Sequence, residues 1–268
     1  MAEVEQLDAG AAPPALPEAD LTDDAVTADF RLYQRRRGHR YSLDDVLTAA
    51  EGVRAVPAAA TVADLGTGIG SVLHMVAWKL PGARLVGIER QAVSFELLRR
   101  NVERNGLGGR VHIVHGDLRE PALLEGLPFA PFDLVTGTPP YFPVGAATAS
   151  PDPQRAAARV ELHGGLEDYL ASAARLLAPD GRLVLCVPDL SAERLLRAAE
   201  AQGFVPLRRL DARPRAGAPR PLFSVWTLGL AEACAGARLQ CPEPFVARDA
   251  QGRRTAAYRQ LRAFFGLR

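Results

Sequence analysis

The segment that most constrains this chain runs from Thr61 to Leu80. A short apolar run, Thr61–Leu65, passes directly into Gly66-Thr67-Gly68-Ile69-Gly70, and apolar residues at helical spacing follow from Ser71 to Leu80. Strand, glycine turn and helix in that order open a parallel sheet. Glycines at alternate positions let the backbone turn sharply and approach a ligand with no Cβ in the way. The alternation then continues. Arg84–Glu89 reads as a strand and Ala92–Asn105 as a helix that Gly106 ends. Val111–His115 and Phe132–Thr136 read as further strands. Leu166–Ala178 reads as a helix stopped by Pro179-Asp180-Gly181, Arg182–Val187 as a strand and Ala192–Gln202 as a helix. Phe204–Leu210 and Leu222–Gly229 read as a closing antiparallel pair. The expected fold is α/β, with a doubly wound, mostly parallel, seven-stranded sheet. In such sheets ligands bind outside the carboxyl ends of the strands, where the strand order reverses.

The ends of the chain differ in character from this middle. Residues 1–28 are rich in Ala, Pro and acid and read as an acidic, disordered tail. Residues 29–230 would form the ligand-binding domain, with an N-terminal helical lead-in, and 231–268 a basic extension packed on it. Net charge is only +1, but it is unevenly spread: residues 1–30 carry acids alone, and Arg31, Arg35, Arg36, Arg37 and Arg40 follow. Arginines also outnumber acids from Pro206 onward. This asymmetry suits a polyanion-binding face. A general preference for arginine accounts for it as well, since Lys79 is the only lysine. The three cysteines form no CxxC pair, which argues against a disulfide framework or a zinc site, and Cys186 in LVLCV reads as a buried small residue. No apolar run approaches the roughly 20 residues of a membrane helix. The first residues are acidic rather than basic, so a cytoplasmic protein is expected.

Three acids mark three successive strand ends. Asp64 lies two residues before Gly66, Glu89 closes the second strand and Asp117 follows the third. The spacing is GxGxG, not the GxGxxG whose helix N-terminus receives a pyrophosphate. An acid beside the glycines suits a cationic ammonium group. Glu89 can accept from both hydroxyls of a ribose, and Asp117 from an adenine amino group. A nicotinamide cofactor would also use Glu89, but its chemistry asks for a proton donor such as a Tyr–Lys pair, and Lys79 is the only lysine available.

VADLGTGIG (62–70), GIER (87–90) and HGDL (115–118) resemble the successive cofactor motifs of class I methyltransferases. The resemblance implies S-adenosyl-L-methionine as cofactor, held by Asp44, Asp64, Gly66, Gly68, Gly70, Glu89, Asp117, Leu118 and Thr138. After the fourth strand, Gly137-Thr138-Pro139-Pro140-Tyr141-Phe142 resembles the (Asn/Asp/Ser)-Pro-Pro-Tyr signature of enzymes that methylate a planar amino group on adenine or glutamine. The nitrogen of such a group is a poor nucleophile, because its lone pair is delocalised. A side-chain oxygen at the first position and the Pro139 carbonyl can each accept one amino hydrogen and hold nitrogen in line with the methyl group. The rigid Pro139-Pro140 pair fixes these acceptors, and Tyr141 would stack on a base drawn out of its nucleic acid. Thr138, Pro139, Pro140 and Tyr141 are thus the catalytic candidates.

Flanking segments resemble one family more narrowly. RRGHRYSLDDVL (36–47), ARVE (158–161) and FVARDAQGRRTAAY (245–258) are similar to segments of the bacterial tRNA(Val) adenine-N6 methyltransferases. That likeness spans about 31–265 and implies N6-methylation of an adenine in RNA, with tRNA as partner. Arg35, Arg36, Arg37, Tyr141, Phe142 and His163 are the substrate-binding candidates. Thr138 stands where the family has Asn, and Val160 where it has His. A small-molecule or protein-glutamine acceptor, an O-methyl acceptor and a non-catalytic cofactor- or RNA-binding module stay open. His39, His74, His112, His115 and His163 show no metal spacing, so no metal is expected. A monomer or weak homodimer is expected.

Overall fold

The computed structural model describes residues 16–268 except 147 and 149. The chain opens with a hairpin, β1 (Leu21–Ala25) and β2 (Arg31–Arg35), paired antiparallel. It continues through α1 (Leu43–Ala55), β3 (Thr61–Leu65), α2 (Ser71–Lys79), β4 (Arg84–Glu89), α3 (Ala92–Arg104) and β5 (Val111–His115). Then come α4 (Pro121–Glu125), β6 (Phe132–Gly137), α5 (Pro153–Arg159), α6 (Leu166–Leu176) and β7 (Leu177–Pro188). The last elements are α7 (Ala192–Ala201), β8 (Phe204–Arg213), β9 (Phe223–Leu230), β10 (Phe245–Val246) and α8 (Ala256–Phe264).

The main sheet has the order β10-β8-β9-β7-β6-β3-β4-β5. All pairings are parallel except those of β9 with β7 and β8. Seven strands match the expected sheet, and the two-residue β10 adds an eighth at the edge. The chain builds outward from β3 through β4 to β5, then returns to the other side of β3 as β6. The crevice between β3 and β6 is therefore the switch point where a ligand is expected. The central strands are buried on both faces: Leu65, Leu85, Ile88, Val135 and Leu185 are all at most 1% exposed. A buried parallel sheet requires such runs, because helices cover both of its sides.

The N-terminal reading is corrected in part. Residues 21–25, assigned to a disordered tail, form β1, and Leu21, Val26 and Leu32 join the core. Residues 1–15 of that tail lie outside the described residues. The hairpin is fastened by Asn101 of α3, whose Oδ1 accepts from Tyr33 N at 2.7 Å. The Asn101 amide donates to the Tyr33 and Ile69 carbonyls at 3.2 and 3.0 Å. One buried amide thus ties the hairpin to the glycine turn. At the other end, α8 packs on α1, with Leu261 and Phe265 buried in the same core.

Candidate active site

Helix α1 starts at Ser42 because a capping box satisfies its first turn, in which Asp45 Oδ2 accepts from Ser42 N at 2.8 Å. α1 packs against α2 and against β6, β7 and β9. It therefore flanks the glycine turn on the side of β6. A pocket opens there across the carboxyl ends of β3, β4, β5 and β6. The glycine turn (Gly66–Ile69), Ser71, Glu89, Asp117, Leu118 and Thr138 line it, together with Asp45 of α1 and His39 before it. Pro140, Ala157, Ala158, His163 and Tyr169 complete the wall.

The glycines have two separate reasons. Gly66 has φ +59°, and a Cβ there would lie 1.9 Å from the Tyr169 hydroxyl oxygen. Gly68, at φ +60°, would point a Cβ into open space. Gly66 accommodates α6, whereas Gly68 bares backbone to the pocket. Gly70 does not line the pocket. A side chain there would strike Leu98 and His74, so its role is the seating of α2 against α3.

The three strand-end acids divide. Glu89 lines the pocket, with Oε2 accepting from Gly68 N at 2.8 Å and Oε1 from Gln91 N at 2.6 Å. Burial pushes its carboxyl above the ordinary value. Each oxygen keeps a further lone pair for a ligand hydroxyl. Asp117 also lines the pocket and is bound by Arg119 at 2.6 Å and Arg90 at 3.1 Å. Burial raises its pKa, but the guanidinium of Arg119 and that of Arg90 bring it below the ordinary value. Asp64, the expected ammonium acceptor, lies beneath the turn and is absent from the pocket wall. It is 2% exposed and accepts from Thr67 Oγ1 at 2.5 Å and Thr136 Oγ1 at 2.6 Å. Burial lifts its pKa to about 6.

Asp44 too is displaced from its expected role. Its Oδ2 accepts from the Tyr141 hydroxyl at 2.8 Å, and Tyr141 lies 3.3 Å from Cys186 Sγ. The tyrosine ring packs against the core and does not line the pocket, so the expected stacking on a base is not its arrangement here. Asp44 and Tyr141 instead latch the loop after β6 to α1. Burial pushes both the Tyr141 hydroxyl and the Cys186 thiol well above their ordinary values. Phe142 also lies outside the wall. Its backbone pairs with Val160, and its ring lies 5.7 Å from the Arg159 guanidinium carbon. That pairing brings α5 over the pocket. Buried Gln154 fixes α5 further by accepting from Arg35 and His39 N at 3.1 and 3.2 Å and donating to Ser94.

Thr138 and Pro140 do reach the pocket, and Pro139 is buried between them. Among the described residues the Thr138 hydroxyl has no hydrogen-bond partner. His163 stands at the rim, and its partial withdrawal from water, with Arg90 and Arg119 near, lowers its pKa. The arginines expected to bind substrate are spread out. Arg35 pairs with Asp152 at 3.0 Å, Arg36 donates to the Ala19 carbonyl, and Arg36 and Arg37 are exposed. Asp45, His39, Ser71 and Tyr169 were missed from sequence. Of these only Asp45 carried a signal, the Ser42-x-x-Asp45 box, and that signal speaks of a helix start rather than a site. Among the described residues no acid, His and Cys group could hold a metal, and no helix is long and apolar enough to cross a membrane.

The acids, the open glycine backbone and the apolar Ile88 and Leu118 fit a nucleoside joined to a zwitterionic arm. The fold and this pocket define a class I methyltransferase architecture, for which S-adenosyl-L-methionine is the methyl donor. A family profile described as "Methyltransferase domain" matches residues 58–206, and the chain belongs to that family. A tRNA1(Val) (adenine(37)-N6)-methyltransferase of Porphyromonas gingivalis is 33% identical over 164 residues, 61% of this chain and 64% of that protein. A release factor glutamine methyltransferase of Geobacter sulfurreducens is 33% identical over 168 residues, 60% of this chain and 57% of that protein. The chain thus spans less than two thirds of the length of these curated relatives. A solved structure from Agrobacterium tumefaciens, described as a predicted O-methyltransferase, superposes with TM-score 0.64. It covers 84% of this chain and 98% of the other at 22% identity, a likeness of fold.

Proposed function

We propose that the chain transfers a methyl group from S-adenosyl-L-methionine to the N6 amino group of an adenine in RNA, with tRNA as the favoured substrate. The observation that carries the reading is Thr138. Its unpaired hydroxyl lies in the pocket wall at the end of β6, held by a Pro-Pro pair and by the latch of Tyr141 on Asp44. When bound, the cofactor supplies an electrophilic methyl on a positively charged sulfur.

The residues of the chain do the rest. Glu89 would hold the ribose hydroxyls and Asp117 would face the adenine end, with Leu118 and Ile88 as apolar walls. The Thr138 hydroxyl and the Pro139 carbonyl would accept the two amino hydrogens of the acceptor and aim its lone pair. α5 and the Phe142–Val160 pairing would keep water from the reacting centre. No strong base is required, because the amine can lose its proton after attack. The curated relatives that methylate adenine in tRNA support the acceptor, and exposed Arg36 and Arg37 support a polyanionic partner. The cytoplasm, where tRNA is found, is the proposed location.

A second reading, methylation of a glutamine in a release factor, is favoured by relatives of similar identity. The two are separated by incubating the protein and tritiated S-adenosyl-L-methionine with unmodified tRNA or with purified release factor. Label in tRNA supports the first reading. Label confined to the release factor supports the second.

A further inference from the structure

Asp45 is the one acid in the pocket wall that α1 contributes, and the cofactor motifs do not include it. It is 8% exposed. Ser71 Oγ of α2 donates to its Oδ1 at 2.9 Å, and Ser42 N donates to its Oδ2 at 2.8 Å. Among the described residues no Arg, Lys or His pairs with it. A buried carboxylate with two neutral donors and no cation is costly to keep charged. The groups facing it add to that cost, since Asp44 on its own helix and Asp64 on β3 are both acids. Together with burial they push its pKa up to about 8.

The topology says which end of a ligand meets it. Glu89 and Asp117 close β4 and β5, on one side of the glycine turn. α1 lies on the other side, against β6 and β7. If the nucleoside occupies the β4–β5 side, the amino-acid arm crosses the turn toward α1 and Thr138. That arm carries an ammonium group. Asp64, the acid that the glycine motif suggested for it, is engaged by two threonine hydroxyls below the turn.

We propose that Asp45 is the anchor for the ammonium group of the cofactor's methionine arm. The proposal rests on the cofactor reading above. The missing counter-charge of the pocket is then supplied by the ligand, with Ser71 orienting the carboxylate. In the free protein, burial and the neighbouring acids hold the carboxyl above its ordinary value. The ammonium favours the ionised form, so binding expels a proton into the buffer.

The test uses calorimetry with S-adenosylhomocysteine and with its deaminated analogue, S-adenosyl-4-mercaptobutyrate. Each is measured at pH 7 in two buffers of different ionisation enthalpy. The wild-type protein should bind S-adenosylhomocysteine about 10–100-fold more tightly than the analogue, the range of a charge-assisted hydrogen bond. It should release more protons with the first ligand than with the second. Glu89, His39, His163 and Asp117 also line the pocket, but they meet both ligands, so the difference isolates the ammonium. Asp45→Asn should bring the two affinities within about threefold and erase the difference in proton release. Equal affinity of the wild-type protein for the two ligands, a result that needs no variant, overturns the proposal. So does an undiminished preference in Asp45→Asn. If neither ligand binds the wild-type protein, the cofactor reading itself fails.

Discussion

Replacing Tyr141 by Phe removes one hydroxyl and nothing else from the latch between the β6 loop and α1. That hydroxyl donates to Asp44 at 2.8 Å and lies beside buried Cys186. A hydrogen bond to a charged acceptor contributes about 1.5–3 kcal/mol. Asp44 is only partly buried and also accepts from Ser42 Oγ, so water can take over part of the lost role. The expected loss is therefore about 1–2 kcal/mol, toward the lower end. In a chain of this size that lowers Tm by roughly 2–8 °C. The catalytic effect should be separable from this one. The latch sets Thr138 and Pro139 and touches neither Glu89 nor the glycine turn. kcat for tRNA should fall about tenfold, while the Kd of S-adenosylhomocysteine stays within twofold. Steady-state transfer, calorimetry and thermal unfolding measure the three quantities. A double-mutant cycle with Asp44→Asn should show coupling of about 1 kcal/mol in Tm-derived stability. If Tyr141→Phe matches wild type in both Tm and kcat, the loop is held by its prolines alone and the latch has no role.

Glu89→Gln should weaken S-adenosylhomocysteine by roughly 10–100-fold, because an amide cannot accept from Gly68 N and Gln91 N at once and still face a ribose diol; calorimetry measures it, and an unchanged Kd would refute the ribose assignment. Thr138→Val keeps the shape and removes the acceptor, so kcat should fall by about 2–4 kcal/mol in transition-state terms while cofactor affinity holds; full activity would mean that Thr138 only shapes the loop. Asp45 and Asp64 hold folded-state values of about 8 and about 6 against an ordinary 3.8, so they bind more protons folded than unfolded. Their contribution to stability is complete below about pH 4 and is lost as pH rises through those values. The Tm of ligand-free Asp45→Asn should therefore gain on wild type between pH 5 and pH 9, and a gap that does not widen with pH would contradict the buried, unpaired carboxyl.

The middle of the fold was legible because burial on both faces leaves a plain trace. Thr61–Leu65, Arg84–Glu89 and Val111–His115 coincide with β3, β4 and β5, the other expected elements shift by a few residues, and the short α4 and α5 were not expected. The hairpin was not legible. Leu21-Thr22-Asp23-Asp24-Ala25 reads as a polar acidic run, and it is a strand through tertiary partners: the ladder with β2, the burial of Leu21, and Arg31, Arg40 and Arg104 pairing with its aspartates. β10 and α8 were hidden because their anchors, Phe245, Leu261 and Phe265, are too sparse to show a period. In the site, Glu89, Asp117, Gly68 and Thr138 of the motifs line the pocket. Asp64, Gly70, Asp44 and Tyr141 lie outside that wall, with contacts set by tertiary neighbours. Asp64 turns down because Thr67 and Thr136 both offer hydroxyls, and Tyr141 turns away because Asp44 accepts its proton.

The central claim concerns the acceptor atom, and nucleoside mass spectrometry tests it most directly. tRNA isolated from the source organism with this gene deleted is treated with the purified protein and S-adenosyl-L-methionine, then digested to nucleosides. The account predicts that N6-methyladenosine rises in the treated sample, and that it is lower in tRNA from the deleted strain than from its parent. Equal N6-methyladenosine in all three samples, with methyl label recovered only in protein or in a small molecule, would contradict it.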